Sequence, residues 1–138
     1  MLPTPVAKAF LDTNVLLYLL SADETKANRA EDLVQTGATI SVQVLNEITN
    51  VTRRKLNLPW HEVHEFVSLI QSLCVVESIT SETHNLCRPL AERYTLNIYD
   101  AMIVASARLA ECEILYTEDM QHDMFIEQRL RVCNPFKE

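Results

Sequence analysis

Apolar and polar positions along this chain fall into blocks that predict strands and helices in turn. Val6-Ala7-Lys8-Ala9-Phe10-Leu11 is short and mostly apolar, as a buried strand requires. Asp12-Thr13-Asn14 follows, with residue types favoured at helix starts, and Val15 to Leu20 then predicts a buried first helix. A second, amphipathic helix spans Glu24 to Gln35, with Gly37 as its stop. Thr39-Ile40-Ser41-Val42 predicts a second strand. Helical spacing returns from Gln43 to Lys55 and from Trp60 to Ser72, with Pro59 marking the break. Cys74 to Glu77 suits a third strand, and Thr80 or Ser81 caps a helix running to Tyr94. Asp100 opens a further helix, Ala101 to Ala110, rich in small residues. Ile114-Leu115-Tyr116 predicts a fourth strand and Arg131-Val132-Cys133 a fifth.

Strands separated by helices imply parallel βαβ units and a sheet covered on both faces. The expected fold is α/β: a three-layer sandwich with a mostly parallel central sheet of four to five strands flanked by helices. With no repeat, linker or low-complexity stretch, the 138 residues are expected to form a single domain, 1-138. Ligands of such sheets sit beyond the carboxyl ends of the strands, near the point where the strand order reverses. Asp12 follows the first strand and Asp119 the fourth, so the rule predicts a site containing both.

Composition narrows the chemistry. Apolar residues make up 48% of the chain, enough for a real core. No apolar run approaches the roughly 20 residues that span a bilayer, so no membrane association is expected. Met1 to Phe10 lacks the charged start, apolar centre and cleavage site of a signal peptide, and the expected location is cytoplasmic. Cys74, Cys87, Cys112 and Cys133 are widely spaced without a C-x-x-C pair, and are read as core thiols. Glycine occurs once, at Gly37, which excludes every Gly-rich phosphate loop. Any phosphate chemistry must then use metals or side chains. The net charge of −7 argues against a broad basic grip on nucleic acid. If several acids gather to hold cations, the bare count overstates the charge of the working protein.

Four acids stand out. Asp12, between an apolar strand and an apolar helix, either caps that helix or belongs to a site. Glu47 lies within the stripe Val44, Ile48, Val51, where an unpaired carboxylate costs several kcal/mol unless a cation meets it. That cation is either a metal or Arg53 or Arg54. Asp100 stands at a helix start, where capping is again the alternative. Asp119 follows the fourth strand in Thr117-Glu118-Asp119, a loop setting in which acids are often simply solvated. Brought together, the four would make a hard-oxygen site of the kind magnesium and manganese prefer.

Leu11-Asp12-Thr13-Asn14-Val15-Leu16-Leu17-Tyr18, Ser41-Val42-Gln43-Val44-Leu45-Asn46-Glu47, Tyr99-Asp100-Ala101-Met102-Ile103-Val104-Ala105-Ser106-Ala107 and Tyr116-Thr117-Glu118-Asp119-Met120-Gln121-His122 together resemble the PIN domain. The likeness is closest to the VapC-like toxins of bacterial toxin–antitoxin pairs. It runs in order through nearly the whole chain, to Val132-Cys133-Asn134-Pro135-Phe136. It implies a PIN-like sandwich and a metal-dependent endoribonuclease, using Mg2+ or Mn2+ to hydrolyse RNA phosphodiester bonds. Asp12, Glu47, Asp100 and Asp119 would be the catalytic and metal-binding quartet. Asp12 and Asp100 would be primary ligands, with Glu47 and Asp119 direct or water-mediated. Thr13, Asn14 and Ser41 would be supporting polar residues. Asp123 departs from the family pattern, which often has glycine there, and it competes with Glu118 and Asp119 for one role. The resemblance also implies a small antitoxin as partner and a homodimer.

The alternatives differ in class. A non-catalytic PIN-like module would bind RNA or protein without cutting, which the intact set of acids opposes. A HAD-like phosphohydrolase needs a second Asp two positions after Asp12, where this chain has Asn14. Arg53-Arg54-Lys55 is read as a solvated helix end, with RNA phosphate contact as the alternative. His61 and His64 are read as surface histidines, without a third ligand. Trp60, Phe66 and Leu69 are assigned to core packing, with a partner interface as the alternative.

Overall fold

The computed structural model describes residues 7–137, and its centre is strand β1 (Ala9–Leu11), buried at every position. The predicted strand is cut back at its start: Lys8 is exposed and its ammonium donates to the Ala110 carbonyl at 2.6 Å. Val6 lies outside the described residues. Helix α1 (Thr13–Leu17) is shorter than expected and tightens into a 3₁₀ turn, Tyr18–Leu20. With no glycine to end it, the helix satisfies its last carbonyls by that tighter winding, as in Ser21 N–H to Tyr18 O.

Helix α2 (Glu24–Thr36), strand β2 (Ala38–Ser41), helices α3 (Val42–Arg54) and α4 (Trp60–Leu73), strand β3 (Cys74–Glu77) and helix α5 (Ser81–Tyr94) follow the predicted blocks closely. Thr80 caps α5, exchanging hydrogen bonds with Thr83. Helix α6 (Ile98–Leu109) begins earlier than predicted. Asn97, not Asp100, is its cap: the Asn97 Oδ1 accepts from Asp100 N–H at 2.9 Å. Asp100 therefore sits inside the first turn. Strands β4 (Ile114–Tyr116) and β6 (Leu130–Cys133) agree with expectation, whereas β5 (Phe125–Ile126) does not appear in the pattern. Its hairpin turn places Glu127 and Gln128 at φ 51° and 55°, without the Asn-Gly pair that signals such turns.

The sheet order is β3-β2-β1-β4-β6-β5. The first five strands in that order pair in parallel, and the two-residue β5 adds an antiparallel edge. The chain winds outward from β1 through β2 to β3, then crosses to β4 on the other side. The order thus reverses between β1 and β4, the position where Asp12 and Thr117 leave the sheet. Phe10, Leu11, Ile40 and Leu115 of the sheet pack with Val44 and Ile48 of α3 and Ile103 and Val104 of α6, all essentially inaccessible to water. Cys74, Cys87 and Cys112 are buried and Cys133 half-buried, all as free thiols. Phe66 packs inward, but Trp60 and Leu69 are both 50% exposed, against the core assignment for them. They lie on the outer face of α4, which is anchored by Val63, Phe66 and Ile70. No helix among the described residues is long and apolar enough to cross a membrane.

Gly37 closes α2 at φ 108° and ψ 127°, with nothing within 4 Å of an added Cβ. Gly37→Ala should therefore destabilise through backbone strain alone, by about 1–3 kcal/mol. Urea unfolding checks this; a neutral substitution would mean the turn relaxes freely.

Candidate active site at the carboxyl ends of the central strands

Asp12 is the last residue before α1 and is 3% exposed. Its N–H donates to the Tyr116 carbonyl at 3.0 Å, which extends the β1–β4 pairing by one step. Its Oδ1 accepts from Thr13 N–H at 2.7 Å, the capping contact expected of it. Its Oδ2 accepts from the Thr117 hydroxyl at 2.8 Å and, more distantly, from Asn14 Nδ2 at 3.4 Å. Capping and site membership therefore coexist in one carboxylate.

Asn14 ties this group to the far loop. Its Nδ2 donates to Asp119 Oδ2 at 3.0 Å and to Thr117 Oγ1 at 3.2 Å, while its Oδ1 accepts from Glu118 N–H at 3.1 Å. Asp119 N–H in turn donates to Thr117 Oγ1 at 3.1 Å. Adjacent residues thus diverge: Asp119 faces Asn14, whereas Glu118 accepts from the Tyr18 hydroxyl at 2.7 Å and pairs with Lys26 at 3.7 Å. Asp123 turns elsewhere, to His122 at 3.4 Å, and is 69% exposed. Among the three competing acids, only Asp119 joins the hydrogen-bonded group around Asp12.

Glu47 sits half-buried at the border of α3's inner stripe, which consists of Val44, Ile48 and Thr52 rather than Val51. Neither Arg53 nor Arg54 meets it. Its partners are neutral: the Thr13 hydroxyl at 2.9 Å and Gln43 Nε2 at 2.7 Å. Asp100 is half-buried in the first turn of α6, with Asn97 Nδ2 donating to its Oδ2 at 2.9 Å. Gln43 also reaches the Tyr99 carbonyl at 3.2 Å, joining the α3 start to the α6 start. Ser41 is fully buried at the end of β2, and its hydroxyl has no partner among the described residues. Thr117, Gln43 and Asn97 were not among the expected site residues. Asn97-x-x-Asp100 carries a capping signal that finds one of them, and a hydroxyl directly after a central strand marks Thr117.

A model of the PIN domain matches residues 9–125. The chain belongs to the PIN domain family. Its fold is similar to a toxin–antitoxin complex from Klebsiella pneumoniae, at 22% identity and TM-score 0.73, covering 95% of this chain and 100% of that one. It is also similar to FitAcB from Neisseria gonorrhoeae, at 19% identity and TM-score 0.64, covering 92% and 97%. A third similar fold is VapC20 from Mycobacterium tuberculosis, a sarcin–ricin loop cleaving toxin, at 19% identity and TM-score 0.59, covering 81% and 90%. No curated protein matches the chain significantly.

In this PIN domain the carboxylates work against one another. Burial pushes the Asp12 carboxyl up to about 6; the Thr117 hydroxyl and Thr13 N–H oppose that rise, while Glu47 and Asp119 add repulsion. Burial likewise holds Asp100 above the ordinary carboxylate range, opposed by Asn97 and reinforced by Asp119 and Glu47. Among the described residues, none of the four forms a salt bridge. Nor do any three Asp, Glu, His or Cys side chains there stand arranged as a finished ligand set. The donor chemistry still fits a divalent cation. All the groups are hard oxygens, their fixed partners are neutral, and magnesium keeps much of its water and needs only one or two carboxylates.

Asp12 binds its proton more tightly folded than unfolded, so between these two pKa values the folded state holds the extra proton. Metal-free protein should then lose stability as pH rises from about 4 through about 6. At ~1.4 kcal/mol per pKa unit, the loss is on the order of 2–3 kcal/mol. Urea unfolding in EDTA across that range reads it. Asp12→Asn should flatten the slope, and an unchanged slope would show that other groups cause it.

Proposed function

We propose that this PIN domain is a metal-dependent endoribonuclease, the toxin of a VapBC-type pair. The observation that carries the reading is that Thr13 and Asn14 tie Asp12 to Glu47 and Asp119 at the strand-order reversal, that Asp100, held by Asn97, feels the charge of Glu47 and Asp119, and that no basic side chain among the described residues balances them. A buried, uncompensated carboxylate is costly, and its persistence points to a cation partner. Family membership and similarity to a toxin that cleaves the sarcin–ricin loop support RNA as the substrate.

In this reading Asp12 and Asp100 would be the primary residues holding Mg2+ or Mn2+, with Glu47 and Asp119 contributing to the same site. When bound, the ion lowers the pKa of a coordinated water and offsets charge on the attacked phosphate. The protein's own residues set the geometry. Thr117 and Thr13 hold the Asp12 oxygens, Asn14 sets Asp119, Thr13 and Gln43 set Glu47, and Asn97 steadies Asp100. One of the outer carboxylates accepts a hydrogen bond from the attacking water, orienting it towards phosphorus. Ser41 supports the floor beside Asp12.

The partner in this reading is a small antitoxin, as the similar toxin–antitoxin complex supports. A groove of about 390 Å3 beside the carboxylates is lined by Leu17, Tyr18, Leu20, Val51 and Leu56, with Asn14 and Glu118 at its edge. An apolar segment fills it, while a basic side chain from the same antitoxin meets the carboxylates.

Wild-type protein in magnesium should generate new RNA ends, detectable by end sequencing, and EDTA should stop their formation. Asp12→Asn and Asp100→Asn should lower the rate on the order of a hundredfold or more. Full activity of Asp12→Asn at saturating magnesium would remove Asp12 from the mechanism. Independently, magnesium or manganese should raise the Tm of the wild type and have a smaller effect on Asp12→Asn. Equal shifts in both would place the ion elsewhere.

A further inference from the structure

Helix α3 begins at the carboxylate cluster and ends at a different kind of surface. At 100° per residue, Gln43, Asn46, Asn50, Arg53 and Arg54 fall on the side opposite the buried Val44, Ile48 and Thr52, and Glu47 lies at the border between the two. From Glu47 to Arg54 this polar track climbs about 10 Å along the helix axis. At its far end lies an open groove of about 300 Å3, lined by Asn46, Thr49, Asn50, Arg53, Arg54 and Trp60.

Trp60 forms the wall of that groove and is 50% exposed. The Arg53 guanidinium lies 5.3 Å from its ring centre, and His64 stacks on it at 5.7 Å with 29° between the planes. Arg53 is fixed there by donating to the Leu58 carbonyl at 3.1 Å, a contact across the α3–α4 elbow. The result is a ladder of three flat groups, Arg53, Trp60 and His64, on the surface. Among the described residues, none of Arg53, Arg54 and Lys55 forms a salt bridge, so three positive charges stand unbalanced on a chain of net charge −7.

We infer that this elbow binds the unpaired strand of an RNA whose phosphodiester lies at the carboxylates, a reading that rests on the proposed ribonuclease function. Flat cationic and aromatic groups stack on bases that are free of a duplex, and the arginines take backbone phosphates. Amide side chains such as Asn46 and Asn50 can hydrogen-bond base edges. A paired duplex cannot present its bases to the ladder. The surface therefore selects single-stranded segments or loops, and it supplies the local positive charge that the molecule as a whole lacks.

Trp60 is the chain's only tryptophan, so its fluorescence reports on this surface alone. A short single-stranded RNA titrated into wild-type protein in EDTA should quench it, and a duplex of the same sequence should do so far less. Trp60→Ala should weaken binding of that RNA, followed by anisotropy, roughly five- to hundredfold, with Trp60→Phe restoring most of it. Arg54→Ala should reduce the slope of log affinity against log salt by about 0.7. In cleavage assays in magnesium the Trp60→Ala loss should fall on KM rather than kcat. RNA that leaves the fluorescence unchanged and binds Trp60→Ala as tightly as the wild type would overturn the inference and leave the elbow to a protein partner. Quenching without any metal-dependent cleavage would sink the ribonuclease reading alone. Metal-dependent cleavage with an unchanged KM in Trp60→Ala would sink the docking surface alone.

Discussion

The hydrogen bond from the Thr117 hydroxyl to Asp12 joins residues 105 positions apart, and the rest of the site depends on it. It exists because β1 and β4 pair in parallel, in register from Ala9 with Ile114 to Leu11 with Tyr116. Parallel pairing brings both strands to their carboxyl ends at the same level, so the residues that follow them meet. A one-residue slip would exchange the sides on which Phe10 and Leu11 pack, undoing the fit of both covered faces, and carry Asp12 away from Thr117. The apolar packing of the sheet thus holds a polar contact it has no part in making.

Around that contact the molecule stabilises negative charge without cancelling it. Backbone N–H groups, threonine hydroxyls and side-chain amides fix each carboxylate, while arginine and lysine stay away. Neutral donors hold orientation and leave the charge available to an ion; a guanidinium would hold orientation and occupy the site. The cost appears in the raised protonation of Asp12 and Asp100. The exposed cations of the α3 elbow complete the division, since the part of the surface suited to a polyanion lies beside the cluster, not within it.

The divergence of Glu118 and Asp119 has a related cause. Asn14 accepts from the Glu118 backbone and donates to the Asp119 carboxylate, so one amide sets both residues of the turn. The Glu118 side chain is left facing Tyr18, whose hydroxyl it accepts from, and Lys26, which also lies 4.8 Å above the Tyr18 ring. One acid belongs to the carboxylate group and its neighbour to the rim of the apolar groove. Composition treats the two as equivalent.

Periodicity alone determined the order of the major elements, the parallel sheet and the strand ends where a site would form, because burial imposes a period of two or 3.6 on any chain that packs this way. It also marked Glu47, since a carboxylate beside Val44 and Ile48 breaks an apolar stripe. Family resemblance, not periodicity, joined Asp12, Glu47, Asp100 and Asp119 into one group. What local pattern could not carry was any relation between residues far apart in the chain. The cap of α6 moved to Asn97 because its amide makes reciprocal bonds with Asp100. The antiparallel β5 escaped notice because two residues carry no period and its turn lacks glycine. The choice of Asp119 over Glu118 and Asp123, the role of Thr117 and the exposure of Trp60 were decided only by the packing of the strands and of α3 on α4. Those contacts are set by three-dimensional neighbours, and a linear pattern records only the side of an element on which a residue falls.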